Sequence, residues 1–169
     1  MNDKITAKIL IDRYNLAPHP EGGYYKENYR SLEFIPETFL PKRFKGNRNY
    51  STAIYFLLEK GSFSAFHKIK SDECWHFYAG EAIWIYVIHL NGRLETIKLG
   101  NDLLNGEHFQ AVVPAGCWFA SEPSPETSFS FVGCTVAPGF DFGDFELGNE
   151  TDLLKQYPQH KILISRMCR

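Results

Sequence analysis

The sequence predicts an all-β fold, an antiparallel jelly roll or barrel, with short helices at both ends. Three observations carry this. From Ser51 to Val136 the chain is a ladder of short apolar and aromatic runs separated by turn residues. Aromatic residues make up 15% of the chain (14 Phe, 9 Tyr, 3 Trp), which suits strands packed on both faces. A length of 169 residues with 44% apolar content is enough for one hydrophobic core, so a single domain over residues 1–169 is expected. Within it the barrel core spans about 50–137, an N-terminal helix and strand 5–30, and a C-terminal helical segment 148–165.

Each element has its own signal. Ile5, Ile9, Leu10, Ile11 and Tyr14 recur at helical spacing, with Asp3 or Thr6 placed to cap them. After the turn Gly22-Gly23, alternation sets Tyr25, Glu27 and Tyr29 on one strand face and Lys26, Asn28 and Arg30 on the other. Residues 31–48, with Pro36 and Pro41, read as an irregular loop. The strand runs then fall at 51–59, 62–69, 73–79, 82–90, 94–99, 109–113, 117–121 and 128–136. Asn91-Gly92 is the strongest hairpin signal, since both residues tolerate the positive φ of a type I′ turn. Asn149 or Thr151 caps a helix that runs to Tyr157 and stops at Pro158.

Composition excludes several function classes. The net charge of -2 and the lack of any long Lys/Arg run argue against a nucleic-acid partner. No stretch approaches transmembrane length and no secretory signal is visible, so no membrane partner and a cytoplasmic location are expected. Cys74, Cys117, Cys134 and Cys168 are scattered without a CxxC pair and read as free thiols, three of them buried. Asp141, Asp144 and Glu146 lack the spacing of a calcium loop and read as a solvated or dimer-facing acidic segment.

Gly61, His67, Ile69, Glu73 and Gly80 carry the spacing of the first cupin metal motif, with an apolar residue at the second histidine position. Phe109–Phe119, with Pro114-Ala115-Gly116, resembles the second motif, and Phe119 stands where a histidine is customary. The chain more specifically resembles the Cupin_5 branch, domain-of-unknown-function family 985. His19-Pro20-Glu21-Gly22-Gly23-Tyr24-Tyr25, Ser71–Gly80, Val113–Gly116 and Phe140–Leu147 carry that likeness. The resemblance implies a cupin jelly-roll barrel, a homodimer, and kinship with metal-free epimerases of nucleotide-linked deoxysugars.

His67 and Glu73 are the candidate catalytic pair, an imidazole beside a carboxylate within an apolar barrel. Tyr25, Tyr29, Trp75, His76, Tyr78 and Phe119 are the candidate ligand-binding residues, with one of Tyr25, Tyr29, Tyr55 and Tyr78 as proton donor on the side opposite the pair. Strand parity sets Glu73, Trp75 and Phe77 on one face and Cys74, His76 and Tyr78 on the other, which argues against His76 as a third metal ligand unless a bulge intervenes. Lys26, Arg30, Lys68 and Lys70 are candidate clamps for an anionic substrate. No cofactor is expected, since two of the customary metal ligands are replaced. The leading expectation is a metal-independent isomerase or epimerase acting on a sugar or sugar-nucleotide. A non-catalytic metabolite-binding barrel, and a divalent-metal enzyme using His67, Glu73 and His76, fit the same residues.

Overall fold

The computed structural model describes residues 5–125 and 127–169. Helix α1 (Ala7–Tyr14) is capped by Thr6, whose side chain accepts from the Ile9 amide, and ends at Asn15 in a left-handed conformation. The alternative cap, Asp3, lies outside the described residues. Strands β1 (Ala17–Pro18), β2 (Tyr24–Arg30), β5 (Thr52–Glu59), β7 (Asp72–Gly80), β10 (Gln110–Val113) and β12 (Phe129–Ala137) form a six-stranded sheet ordered β1-β2-β5-β12-β7-β10. Facing it, β6 (Ser64–Lys68), β8 (Ile83–Ile88), β9 (Leu94–Leu99), β11 (Trp118–Pro123) and β13 (Glu146–Leu147) form a five-stranded sheet ordered β13-β6-β11-β8-β9. All named strand pairs are antiparallel, in a jelly roll.

Alternation explains why both faces of these strands are apolar. On β8, Ile83, Ile85 and Val87 point between the sheets, where Phe56, Leu58, Trp75, Phe119 and Val132 meet them. The other β8 face, Tyr86 and Ile88, joins Phe66 and Trp118 under helices α2 (Glu150–Gln156) and α3 (Lys161–Met167), through Leu153, Ile164 and Met167. Leu10 of α1 covers Leu57 and Phe131 on the outside of the six-stranded sheet.

Four local expectations need correction. Residues 31–48 contain order: β3 (Phe34–Ile35) pairs with β4 (Arg48–Asn49), and Arg48 is buried. The β8–β9 hairpin forms, but only Gly92 of the Asn91-Gly92 pair has positive φ, so the turn is not type I′. It is closed by Gly92 N donating to His89 O and His89 N donating to Arg93 O, and the glycine absorbs the extra residue. The acidic segment is not wholly solvated, because Asp144 is buried against Arg48. Of the four free thiols, Cys117 and Cys134 are buried while Cys74 and Cys168 are half-buried.

Candidate functional site

The interior is solid at one end of the sheets and open at the other, where a cavity of about 500 Å³ is roofed by Phe140, Phe142 and Phe145. His67, on β6 and 3% exposed, is one of its buried polar groups. Nδ1 lies 2.7 Å from the Ala65 carbonyl, which can only accept, so Nδ1 carries a proton. Nε2 lies 3.0 Å from Oε2 of Glu21, whose other oxygen accepts from Ser64 Oγ at 2.9 Å.

Glu21 reaches His67 because the chain before β2 is pressed against the strands. A Cβ on Gly22 would run into the Phe63 carbonyl, and one on Gly23 into the Leu57 carbonyl; both residues have positive φ (118° and 71°). Burial works against charge on His67, but Glu21, the Ala65 carbonyl and Glu73 outweigh it and raise the pKa above the ordinary value. Burial likewise opposes charge on Glu21, and His67, with help from His19 and Ser64, brings that carboxyl below its usual range. Both shifts favour the imidazolium–carboxylate form of the pair. His19, with Nδ1 3.6 Å from Glu21, is shifted the other way: burial lowers its pKa more than Glu21 raises it.

Glu73 faces the same cavity from β7 and is 8% exposed. Burial raises its pKa, His67 opposes the rise and Glu21 adds to it, with the result at about 7. This carboxyl is thus poised between its two protonation states near neutrality, the condition a general acid or base requires. The Cys134 thiol also lines the cavity, and burial followed by the charge of Glu73 drives its pKa well up. Cys134 is a neutral wall of the pocket and not a nucleophile.

Of the residues expected at the site, His67, Glu73 and Tyr25 line one cavity. The partner of His67 is Glu21, however, and not Glu73. Tyr29 is turned outward because β2 bulges: Glu27 pairs with Ile54 and Tyr29 with Ala53, so Asn28 is an extra residue and parity flips. Arg30, opposite Thr52, takes the inward direction in its place. His76 lies on the outer face of β7, bonded to Thr135 Oγ1 (3.1 Å) and Gln110 Nε2 (3.1 Å), as parity predicts. Tyr78 shares that face, half exposed against Tyr55 and Phe131. Trp75 and Phe119 are inward but buried in the core, at the floor beneath the site. Phe119 packs on His67 with ring centroids 4.0 Å apart, and Trp75 packs edge-on against Phe119 and Phe56.

The residues at the customary metal positions do not fit a divalent ion. Both nitrogens of His67 are committed to Ala65 and Glu21, and Ile69 and Phe119 offer no donor atom. His76 is on the far side of the sheet, and among the described residues no three His, Cys, Asp or Glu side chains gather as ligands.

Two antiparallel sheets closed over a pocket reached from facing strands define the class: this is a cupin. The chain belongs to the Cupin_5 family, described as cupin superfamily (DUF985), which it matches over residues 8–148. An uncharacterized protein of Saccharomyces cerevisiae, YML079W, is 35% identical over 155 residues, covering 86% of this chain and 77% of its own. A solved structure from Shewanella oneidensis is 42% identical with a TM-score of 0.87, over 98% of this chain and 99% of that one. A hypothetical protein from Leishmania major is 34% identical with a TM-score of 0.88, over 97% and 99%. Oxalate decarboxylase from Bacillus subtilis shares the fold alone, at 14% identity and a TM-score of 0.55 over 89% of this chain and 36% of its own. No helix among the described residues is long and apolar enough to cross a membrane.

Glu21 is a cavity residue that the sequence pattern did not single out, and Arg30, expected as an anion clamp on the strand face opposite Tyr25, lines the cavity beside it. The signal for Glu21 was present in the His19–Gly23 segment, a carboxylate held between Pro20 and two glycines. Nothing in the alternation pattern announces the bulge that brings Arg30 inward.

Proposed function

We propose that this cupin is a metal-independent isomerase or epimerase acting on a sugar-like carbonyl compound bound in the barrel cavity. The observation that carries the reading is Glu73, a buried carboxyl with a pKa of about 7 facing a cavity. Ionised Glu73 takes the proton from the carbon beside the substrate carbonyl, the C–H electron pair forms the C=C bond of an enolate, and the C=O pair moves to the oxygen. Tyr25, the one expected tyrosine that lines the cavity, is assigned as hydrogen-bond donor to the carbonyl oxygen. A proton delivered by solvent to the opposite face, with Glu73 later releasing its own to solvent, gives an epimer. Return by Glu73 to the former carbonyl carbon, with the neighbouring hydroxyl proton passing to the former carbonyl oxygen, gives an isomer. Burial holds the Glu73 pKa up, with His67 opposing the rise and Glu21 adding to it.

The test is solvent exchange. Aldoses, ketoses and their amino derivatives are incubated with the protein in D2O, and deuterium uptake at the carbon beside the carbonyl is read by NMR. Uptake that Glu73→Gln abolishes and His67→Asn reduces is the expected result. A sugar that binds without any uptake, or uptake unchanged in Glu73→Gln, overturns the reading in favour of a non-catalytic binder.

A further inference from the structure

We propose that the ligand of this cavity carries a positively charged nitrogen and no phosphate, and is held between Glu73, Asp141 and the aromatic roof. The proposal rests on the reading that the cavity is the ligand site, and it names the substrate class. It follows from which charges around the cavity are already spent.

Each candidate anion clamp is committed or points elsewhere. Arg30 lines the cavity, but its Nε and one terminal nitrogen grip both oxygens of Glu27 (2.9 and 2.7 Å). The other terminal nitrogen donates to Asn49 Oδ1 at 2.8 Å, and the Phe140 carbonyl accepts a further bond at 3.2 Å. Lys68 pairs with Glu146 at 3.0 Å and Lys70 with Asp144 at 3.1 Å. Lys26 is exposed on the outward face of β2, opposite Tyr55. The His67 imidazolium is held by Glu21. A diphosphate entering this cavity would meet no free Arg or Lys among the described residues, and such groups are what bind it.

The anions are in surplus. Glu73, more than nine-tenths buried, forms no ion pair among the described residues. Asp141 lines the cavity too; its Oδ1 accepts from the Gly143 amide at 2.7 Å, and it forms no ion pair among the described residues. Aromatic rings line the same cavity. Phe142 is 54% exposed at the cavity, with Phe140 at 5.1 Å and Phe145 at 6.2 Å between ring centroids. Carboxylates interleaved with aromatic faces are the surroundings that an ammonium group prefers and a phosphate avoids. Of the two substrate types expected from the sequence, a sugar and a sugar-nucleotide, these charges favour the sugar, and they add an amine to it.

The test is calorimetric titration of the full chain with matched probes: D-glucosamine, D-glucose and D-glucose 6-phosphate, then ethylammonium and inorganic phosphate. Each amine is expected to bind about tenfold or more tighter than its phosphate counterpart, as one unpaired carboxylate in the cavity would produce. Asp141→Asn, which keeps an acceptor for the Gly143 amide, is expected to weaken the amines about tenfold and leave D-glucose unchanged. Phosphates binding as tightly as amines, or amines failing to bind at tens of millimolar, overturns the proposal. Amine preference without solvent exchange supports this inference while removing the catalytic one. Exchange confined to phosphorylated sugars does the reverse.

Discussion

Two buried charged clusters, one at the turn that carries Phe142 and one in the cavity wall, are built to opposite rules. In the first, Arg48 grips both oxygens of Asp144 (2.6 and 2.7 Å), Lys70 adds a contact at 3.1 Å, and carbonyls of Lys45, Gly46 and Asn47 accept from Arg48. Every oxygen of Asp144 has a cation, and its pKa is low: burial works against the charge, and Arg48 and Lys70 overcome that. In the second, Glu21 alone pairs with His67, and Glu73 is left without an ion pair among the described residues, its pKa raised by burial to about 7. A saturated cluster fastens structure. A cluster with a surplus carboxyl stores a proton that can be exchanged.

The largest effect that could break this contrast is in the saturated cluster. Asp144→Asn leaves the Arg48 guanidinium buried with a neutral partner. Such a loss costs about 3–5 kcal/mol, read as a lowered midpoint in urea unfolding. Asp144 also anchors the turn between Phe142 and Phe145, so the cavity roof loosens with it. A loss below about 1 kcal/mol would mean the cluster is no more than a surface pair.

The second prediction has the opposite sign. Glu73 has a folded pKa of about 7 against an ordinary 4.5, so between those values the folded state holds more protons than the unfolded state. Stability therefore falls as pH rises across that window, by on the order of 3 kcal/mol, and stays low above it. Glu73→Gln removes the ionisation but also the attraction to His67, so the variant gains about 2 kcal/mol at pH 8 and progressively less toward pH 5. Unfolding curves across this range check it. A variant that is destabilised equally at all pH values would make Glu73 one more saturated group.

The two clusters were also unequally readable from the sequence. Motif spacing placed His67 and Glu73, because a cupin strand pair fixes which residues point inward, and period-two alternation placed His76 and Tyr78 outside. Strand positions followed from turn residues such as Gly80, Asn91-Gly92 and Pro114–Gly116. Contacts set by distant segments were not readable. Arg48 and Asp144 lie 96 residues apart, and each alone resembles a solvated loop charge. Glu21 meets His67 only because two glycines let the chain pass close to Phe63 and Leu57. Tyr29 and Arg30 exchange directions through one extra residue that no local pattern marks. Alternation is a local property of the chain, whereas bulges and long-range ion pairs are decided by the packed fold.

The smallest effect separates the same two rules within one pair of residues. Ser64 on β6 and Ser121 on β11 are direct cross-strand partners, and both are fully buried. Ser64 Oγ donates to the ionised Glu21, whereas Ser121 Oγ has no hydrogen-bond partner among the described residues. Ser64→Ala removes a bond to a charged acceptor and costs about 1.5 kcal/mol. It also lets the Glu21 pKa rise, so the loss is greatest above the usual carboxylate range and shrinks as pH falls through it. Ser121→Ala removes an unsatisfied hydroxyl at nearly constant volume, so its stability stays within about 1 kcal/mol of the parent, on the favourable side. Paired thermal denaturation at pH 7 and pH 4 reads both. Equal costs for the two serines would show that burial alone, and not the charge of Glu21, sets the value of a hydroxyl at this wall of the barrel.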